Sequence, residues 1–356
     1  MAIKVLIHEW VTGGGLAGAP LPDGWAAEGR TMRRALADDF QKVAGVEVVM
    51  TLDARFRTTS PPYRVVSVAR NEETATLARL SADADFTLVI APETGGVLAA
   101  RARLIESAGG RSLGASASAV ELSGNKLRLA EHFLAHGVRT IPTALWRIAD
   151  VFPATMAFPA VLKPIDGAGA VRTFLLNGPE DLARIRAESS PSALSAAMVL
   201  QPFCRGEPLS ATFLIGPSGT TRLIGVGWQS IVIRQGMLTY QGGRLAAPAE
   251  FAAAAPTEAI RCVPGLRGVV GVDFLRDPVS GVTTVVEINP RPTTSYVGLS
   301  RLLPGGAIAR AWLAAFRGDG TSAAHAMIPA RPDAGLSFRP DGTLVQWGAS
   351  ADGRNG

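Results

Sequence analysis

The sequence predicts two kinds of architecture in one chain: a doubly wound α/β domain, followed by an α+β region rich in hairpins. In the first third, short apolar strands alternate with amphipathic helices, which is typical of a parallel sheet covered by helices on both faces. Further along, strands follow one another through Gly- and Pro-containing turns, which indicates antiparallel pairing. With 356 residues, the chain can bury a sizeable core and form two or three domains.

The first domain is predicted over residues 1–115. Its first helix, at 26–43, keeps Met32, Leu36 and Phe40 on one face. Asn71 is a suitable N-cap for the second helix, and a third is expected at 96–107. The strands of this domain are the apolar runs at 3–10, 46–50, 64–69, 86–91 and 111–114.

The rest of the chain divides into segments 116–196, 197–318 and 319–356. We expect one helix from Asn125 to His136, ended by Gly137, and an apolar helix at 307–316. The last segment is rich in Pro and Gly, with one short hairpin at 336–347 and a C-terminus that we expect to fray. Strands are expected at 158–163, 171–176, 198–203, 211–216 and 222–228.

The composition disfavours several classes of function. The net charge of +5 comes from scattered arginines without a basic block, which argues against nucleic-acid binding and favours anionic substrates. Cys204 and Cys262 have the spacing of neither a metal site nor a disulfide framework. No apolar run is long enough for a signal peptide or a membrane span. We therefore expect a folded, reduced, cytoplasmic protein.

A hairpin near residue 280 carries the most informative polar residues. Glu287 and Asn289 are two residues apart on a predicted strand and share a face, and Asp273 lies on the preceding strand. If the turn centres near Ser280, Asp273 sits opposite Glu287, where two like charges are destabilising unless a cation separates them. These hard oxygen ligands suit Mg²⁺, with Mn²⁺ as a second candidate. Arg291 would place a permanent cation beside the metal; the alternative is a hairpin with merely solvated acids.

A glycine run after the first strand invites a different interpretation. The segment 13–18 satisfies the GxGxxG pattern, and Asp53 follows the second strand, as in dinucleotide-binding domains. In such sites a helix begins inside the glycine run, whereas here a Pro-rich segment, 19–24, comes next. We therefore disfavour nicotinamide or flavin binding and expect a flexible loop, suited to a substrate loop or lid.

Two further clusters suit a nucleotide. Lys163 ends an apolar strand and precedes Gly167 and Gly169, whose backbone can approach a phosphate. Lys126 opens a helix and would add a second cation. Further on, the strand end at Gln201–Phe203 could lie against a base, and Glu207 could accept hydrogen bonds from a ribose. Each feature, taken alone, is also compatible with an ordinary hairpin turn, surface lysine or strand end.

Taken together, in this order along the chain, the clusters resemble the ATP-grasp superfamily. The resemblance covers about residues 114–316, and residues 1–115 look like the family's pre-ATP-grasp domain. It implies phosphate contacts from Lys126 and Lys163, a phosphate loop with Gly167 and Gly169, and Mg²⁺ ligands at Asp273, Glu287 and Asn289. It also implies adenine contacts from Gln201 and Phe203 and a ribose contact from Glu207. Asn125 departs from the Asp that many members have before the lysine.

Within that superfamily, short motifs are similar to those of the tyramine–glutamate ligases of methanofuran-type cofactor synthesis. These motifs are HEW at 8–10, EGRTM at 28–32, APET at 91–94 and NPRPTTSY at 289–296. The resemblance implies ATP-dependent ligation of the glutamate γ-carboxylate to tyramine or tyrosine, in one-carbon metabolism that uses methanofuran or methylofuran. Alternatives are another amino acid and amine pair, or a nucleotide-binding module without turnover. The candidate substrate contacts are Glu9, Glu28, Arg30, Glu93, Ser295 and Tyr296.

The implied mechanism is phosphoryl transfer followed by acyl transfer. The lysines and the metal would neutralise the β- and γ-phosphates of ATP while a carboxylate attacks the γ-phosphorus. An amine would then attack the acyl phosphate, with Arg291 stabilising the tetrahedral intermediate. The expected partners are these small molecules, with neither nucleic acid nor membrane. A homo-oligomer is compatible with the sequence, and no residue stands out as the base for the amine.

Overall fold

The structure, a computed structural model, describes residues 2–56, 62–167, 170–245, 249–252, 254–318 and 335–346. Its first sheet has four parallel strands in the order β3-β2-β1-β4. The strands are β1 (Ile3–Glu9), β2 (Val46–Asp53), β3 (Arg64–Val68) and β4 (Phe86–Ile90). The helices in this part of the chain are α1 (Asp23–Gln41), α2 (Glu73–Asp83) and α3 (Val97–Ser107). The predicted α/β fold of this part of the chain is confirmed.

A second sheet joins the remaining eleven described strands through antiparallel pairs. Its main path runs β13-β12-β9-β10-β11-β7-β6-β8-β5. The strands are β5 (Ala144–Trp146), β6 (Ala160–Pro164), β7 (Phe174–Leu176), β8 (Met198–Pro202), β9 (Glu207–Ile215), β10 (Thr221–Arg234), β11 (Met237–Leu245), β12 (Gly268–Arg276), β13 (Thr283–Asn289), β14 (Leu336–Phe338) and β15 (Leu344–Gln346). The helices are α4 (Ala117–Gly124), α5 (Lys126–Ala135), α6 (Pro179–Glu188), α7 (Pro191–Ser195), α8 (Ala255–Arg261), α9 (Ser295–Leu302) and α10 (Ala307–Arg317).

Some predicted elements differ from the structure. The strand expected at 111–114 contributes only an isolated parallel bridge between Ser112 and Thr87. Helix α1 begins at Asp23, directly after Pro22, and so three residues earlier than expected. Helix α4 and strand β11 were not predicted. Strand β11 contains Gly242 and Gly243, which interrupt the pattern of strand-forming residues in its sequence.

The glycine run after β1 is not the flexible loop that the sequence suggested. Residues Val11–Gly15 form a single wide helical turn, and its first four residues are buried. Gly14 has φ of 113°, and a Cβ on it would lie 2.4 Å from Cγ1 of Val68. A Cβ on Gly15 would lie 2.0 Å from Nε1 of Trp10. Glycine is therefore required here by close packing, and the turn is not suited to serve as a lid.

The two sheets share hydrophobic cores, whereas one segment has a core of its own. Phe40 of α1 packs against Trp312 of α10, with ring centroids 5.8 Å apart, so the first domain is fixed to the second sheet's helices. Residues 144–200 form a separate small cluster around Trp146, Leu162 and Leu200. The lysine-bearing strand β6 belongs to this small subdomain, which joins the rest of the second sheet where β7 pairs with β11. In the described residues, no helix is both long and apolar enough to cross a membrane.

A buried aspartate fixes α1 to α9 and α10. The carboxylate of Asp39 accepts hydrogen bonds from the hydroxyl of Tyr296 at 2.8 Å and from the N–H groups of Gly306 and Ala309 at 2.8 and 3.1 Å. The last two are donors at the start of α10, which has no cap from its own side chains. Burial raises the pKa of Asp39, while these donors lower it. The carboxylate is thus an N-cap supplied from another helix.

Replacing Asp39 with alanine is expected to lower the free energy of unfolding by about 3 kcal/mol, because three buried donors lose their acceptor at once. Urea denaturation monitored by circular dichroism measures this. Asp38→Ala is the matched control: its ion pair with Arg34 is long, at 3.7 Å, and exposed, so its loss should cost less than about 1 kcal/mol. Equal effects of the two substitutions would contradict the cap.

Behind the glycine turn lies a buried polar network. His8 Nδ1 is 2.7 Å from the hydroxyl of Thr51, and Nε2 is 2.9 Å from Glu73 Oε1. Arg101 contacts Glu73 Oε2 at 2.8 Å and lies over the ring of Trp10. Burial raises the pKa of Glu73, but hydrogen bonds and charges from His8 and Arg101 outweigh it and hold that pKa at about 2. The network joins β1, β2, α2 and α3 around the turn.

This network predicts a pH-dependent contribution to stability. The folded-state pKa of Glu73 is depressed from 4.5 to about 2, so its stabilisation is complete above pH about 4.5 and is lost as pH falls towards 2. The full contribution is at most about 3 kcal/mol. Urea denaturation of wild type and Glu73→Gln at several pH values should show a difference that is largest at pH 6–7 and shrinks below pH about 4. A difference that grows with falling pH would contradict it.

Candidate active site

The hairpin of β12 and β13 places two carboxylates face to face. Asp273 is the register partner of Glu287, as a turn near Ser280 predicts, and Gly271 pairs with Asn289. The side-chain amide of Asn289 donates to Oδ2 of Asp273 at 3.1 Å. The three predicted metal ligands therefore lie together on one face of the hairpin.

Burial and the neighbouring Glu287 disfavour a negative charge on Asp273. Burial and then the charge of Glu287 raise the pKa of Asp273 to about 6, although hydrogen bonds from Ser210, Asn289 and Gln229 lower it. Oδ1 of Asp273 is buried and has no hydrogen-bond partner among the described residues. An unpartnered carboxylate oxygen facing another carboxylate is a site that a cation would stabilise.

Two buried lysines supply positive charge next to the hairpin. Nζ of Lys126 lies 3.3 Å from Oε2 of Glu287. Burial lowers the pKa of Lys163 to about 8; the charge of Glu287 opposes that decrease and Lys126 adds to it. Burial opposes ionisation of Glu287, but Lys126 and Lys163 outweigh it and hold its pKa below the usual value. Two ammonium groups therefore lie together beside the carboxylates, and a bound phosphate group would need such positive charge.

The predicted phosphate loop lies against Lys126. The ammonium of Lys126 donates to the carbonyl oxygen of Gly167, and its backbone N–H donates to Ile165 at 2.9 Å. Asp166 accepts a hydrogen bond from the N–H of Gly95, in the first domain, at 2.9 Å. The loop after β6 is therefore held from two sides. Gly169 was also predicted to belong to this loop, and it lies outside the described residues.

These residues fit a hard divalent cation. They offer two carboxylates and one amide oxygen, with one carboxylate oxygen unsatisfied. In the described ranges no set of three His, Cys, Asp or Glu side chains forms a metal-binding group, so the protein would provide a partial ligand set. Mg²⁺ is commonly held in this way, with the remaining positions taken by water and substrate phosphates.

The strand end predicted to contact a base is only partly open. The side chain of Gln201 is buried and donates to the hydroxyl of Thr143 at 2.8 Å. The N–H of Phe203 donates to the carbonyl of Pro159 at 3.0 Å, so of its backbone groups only the carbonyl is left for the predicted contact with a base. Glu207 is 3.2 Å from Arg276, and its side chain is 40% exposed, which leaves room for a ribose.

A second charged group surrounds Arg291. Its guanidinium pairs with both carboxylate oxygens of Glu93, at 2.9 and 3.1 Å, across a sequence separation of 198 residues. Glu28 lies close enough to Arg291, Glu9 and Glu93 for their charges to affect its pKa, which burial raises above the usual value. Arg291 also lowers the pKa of Glu287, so this group adjoins the hairpin of β12 and β13, which we call the metal hairpin after its three predicted ligands.

The other predicted substrate contacts have different roles. Glu9 is 3% exposed and accepts hydrogen bonds from the N–H groups of Val11 and Thr12 and from the Thr12 hydroxyl, so it holds the glycine turn. Arg30 is exposed, and its guanidinium lies over the ring of Phe56.

Ser295 and Tyr296, at the start of α9, do not point into an open pocket. The Ser295 hydroxyl is buried between those of Thr212 and Thr293, at 3.0 and 2.7 Å. The prediction for Tyr296 is wrong in the described structure, because its ring is fully buried and its hydroxyl is bound to Asp39.

Sequence reasoning missed three residues that the fold brings to the hairpin. Ser210 and Gln229 hydrogen-bond to Asp273 from β9 and β10. Tyr240, on the unpredicted strand β11, is hydrogen-bonded to Thr294 and lies near the charges of Asp273 and Glu28. Side chains alternate along β9, and Ser210 is the register partner of Asp273, so this position could have been found from the sequence pattern. Tyr240 could be found only once β11 was recognised.

Two family models and two proteins of known name match this chain. The model of the pre ATP-grasp 3 domain matches residues 46–120, and that of the ATP-grasp domain matches residues 123–295. A tyramine–L-glutamate ligase from Methanocaldococcus jannaschii is 28% identical over 225 residues, which are 62% of this chain and 59% of that protein. The corresponding protein from Methanocaldococcus fervens is 24% identical over 274 residues, 75% of each chain. The chain thus spans less than two thirds of the first relative.

Among solved structures, an Archaeoglobus fulgidus protein described as a member of the ATP-grasp superfamily has a similar fold. The TM-score is 0.69 at 21% identity, with 95% of this chain and 92% of the other covered. At this level of identity the similarity concerns the fold. It extends over the first domain, the small subdomain and the metal hairpin together.

Proposed function

The chain is an ATP-grasp protein, with a pre-ATP-grasp domain and an ATP-grasp domain, and from that premise we propose that it is an ATP-dependent ligase joining a carboxylate to an amine. The observation that carries the proposal is the opposed pair of Asp273 and Glu287 beside two buried lysines. The finer proposal is that the γ-carboxylate of glutamate is joined to tyramine or tyrosine, in methanofuran- or methylofuran-type cofactor synthesis. The two curated relatives support it.

The lysines are proposed to bind the β- and γ-phosphates of ATP. Lys126 and Lys163 are already close enough to share Glu287, so a phosphate placed beside that carboxylate would contact both ammonium groups. The backbone of the loop at Gly167 would line the same phosphates. When bound at Asp273, Glu287 and Asn289, Mg²⁺ would supply charge neutralisation for the transferring phosphoryl group. Gln201, Phe203 through its carbonyl, and Glu207 would bind the nucleoside.

The reaction proceeds in two steps. A carboxylate oxygen attacks the γ-phosphorus of ATP, the bond to the bridging oxygen breaks, and ADP leaves with that electron pair. The uncharged amine nitrogen then attacks the acyl carbon, the carbon–oxygen bond to phosphate breaks, phosphate leaves with that electron pair, and the nitrogen releases a proton to solvent. Arg291 would stabilise the oxyanion of the second step, and Glu93 holds its guanidinium in place with two contacts.

The proposed setting is the cytoplasm, with small molecules as the partners. The substrates are anionic or zwitterionic, and the chain carries a net charge of +5, which favours their approach.

A screen of amino-acid and amine pairs tests the proposal. Purified protein is supplied with ATP and Mg²⁺, and ADP release and product mass are measured for each pair. We expect ADP formation that requires both glutamate and an aromatic amine, with a product lighter than their sum by one water. Turnover with a different pair would overturn the finer proposal alone. No turnover with any pair, despite tight ATP binding, would indicate a nucleotide-binding module.

A further inference from the structure

Near Arg291, one carboxylate has no partner among the described residues. Glu28 of α1 is half-buried, and in the part of the chain that the structure describes no donor or cation lies within bonding distance of its side chain. Its three acidic neighbours have partners: Glu9 accepts three hydrogen bonds, Asp341 accepts one from the N–H of Thr343, and Glu93 engages Arg291 with both oxygens. Glu28 is thus the carboxylate of this group that remains available to a ligand.

An apolar surface lies on the hairpin of β10 and β11. In the hairpin of β10 and β11, Ile231 pairs with Tyr240 and Ile233 pairs with Leu238, so these four side chains lie on one face. Ile231 and Ile233 are 38% and 49% exposed, which is unusual for isoleucine on a central hairpin. Tyr240 connects this face to α1 and to the metal hairpin, because it packs against the cluster that contains Met32 of α1, is hydrogen-bonded to Thr294, and lies near the charges of Asp273 and Glu28.

We propose that Glu28 and this apolar face form the subsite for the amine substrate. Glu28 binds the ammonium group, and Tyr240 with Ile231 contacts the aromatic ring that extends from it. The inference rests on the proposed ligase function and specifies one of its substrates. An arylalkylamine carries a cation at one end and an apolar ring at the other, which matches an unpaired carboxylate beside an apolar face.

The alternative ligand for Glu28 is the α-ammonium of the amino-acid substrate, which has the same chemistry. Glutamate carries a second carboxylate and no apolar group, so the adjoining isoleucines offer it no favourable contact. The apolar face therefore favours the amine. Kinetics can separate the two, because each substrate has its own KM.

The first test replaces Glu28 with glutamine, which keeps the shape and removes the charge. We expect KM for tyramine to rise about 10–100-fold, as for loss of a charge-assisted hydrogen bond, with KM for glutamate and ATP unchanged within about threefold. Asp23→Asn, an exposed acid in the first turn of the same helix, is the control and should alter none of the three. A rise in KM for glutamate alone, or no change in any KM, would overturn the assignment.

The second test concerns the ring. Wild type should prefer tyramine over butylamine, and Tyr240→Leu should reduce that preference about 3–10-fold in kcat/KM. Tyr240→Phe keeps the ring and loses only the Thr294 contact, so it should keep the preference. An unchanged preference in the leucine variant would contradict the role of the ring.

A binding measurement distinguishes this inference from the proposed function. Calorimetric titration of tyramine into the ADP- and Mg²⁺-loaded protein should show binding that Glu28→Gln weakens about tenfold or more. If tyramine binds in this way but no product forms, the ligase proposal fails and the subsite stands. If product forms and Glu28→Gln binds tyramine like wild type, the subsite fails alone.

Discussion

Substituting glutamine for Glu287 is expected to lower kcat about a thousandfold while leaving the fold intact. The substitution removes one of two opposed carboxylates and the counter-charge shared by Lys126 and Lys163. Loss of a metal ligand withdraws several kcal/mol of charge stabilisation from the transferring phosphoryl group, and each 1.4 kcal/mol is about tenfold in rate. The measurement is ADP release under saturating ATP, glutamate and amine, with far-ultraviolet circular dichroism as the check on folding.

Glu188→Gln is the matched control for Glu287→Gln. It makes the same chemical change on a side chain that is 67% exposed. The ion pair of Glu188 with Arg184 is long, at 3.8 Å, so little is lost with its charge. We expect activity within twofold of wild type. Unimpaired ligation by Glu287→Gln would show that this carboxylate holds no metal needed for turnover.

Replacing Arg291 with methionine is expected to lower both activity and stability. The guanidinium is buried and neutralises Glu93, with Glu28 and Glu287 nearby, so its loss leaves buried negative charge without a partner. Removing one member of a buried pair typically costs about 3–5 kcal/mol of unfolding free energy. Loss of a group that stabilises an oxyanion lowers kcat about 100- to 1000-fold. Chemical denaturation and steady-state kinetics measure the two effects.

The double variant Glu93→Gln/Arg291→Met separates these effects. It removes both charges of the pair, so the unfolding free energy should recover by about 2 kcal/mol relative to Arg291→Met alone. Activity should not recover, because the guanidinium itself acts on the substrate. Recovery of activity together with stability would assign Arg291 a purely structural role.

The hairpin of β12 and β13 could be predicted from the sequence because the residues that determine it are close together in the chain. Two apolar strands joined by the turn DPVSG predict the hairpin, and the period of two fixes which side chains share a face. A register irregularity between Asp273 and Phe274 then brings Glu287 opposite Asp273. The parallel strands of the first domain were equally evident, since buried strands read as continuous apolar runs.

Contacts between distant residues could not be derived in this way. Tyr296 meets Asp39 across 257 residues, and nothing near Tyr296 in sequence distinguishes a core tyrosine from one in a pocket. The glycine run reads as a loop, yet its glycines are required by packing against Val68 and Trp10. Tyr240 was missed because Gly242 and Gly243 obscure the strand that carries it.

Asp273, Glu287 and Asn289 are proposed to hold a divalent cation together, beneath the phosphates of a nucleotide. Crystals grown with Mn²⁺ and ADP, and measured at a wavelength where manganese scatters anomalously, test this directly. We predict an anomalous peak within about 2.5 Å of oxygens from Glu287 and at least one of the other two residues, adjoining the β-phosphate. ADP bound with its phosphates at Lys126 and Lys163 but with no manganese at these side chains would contradict the account.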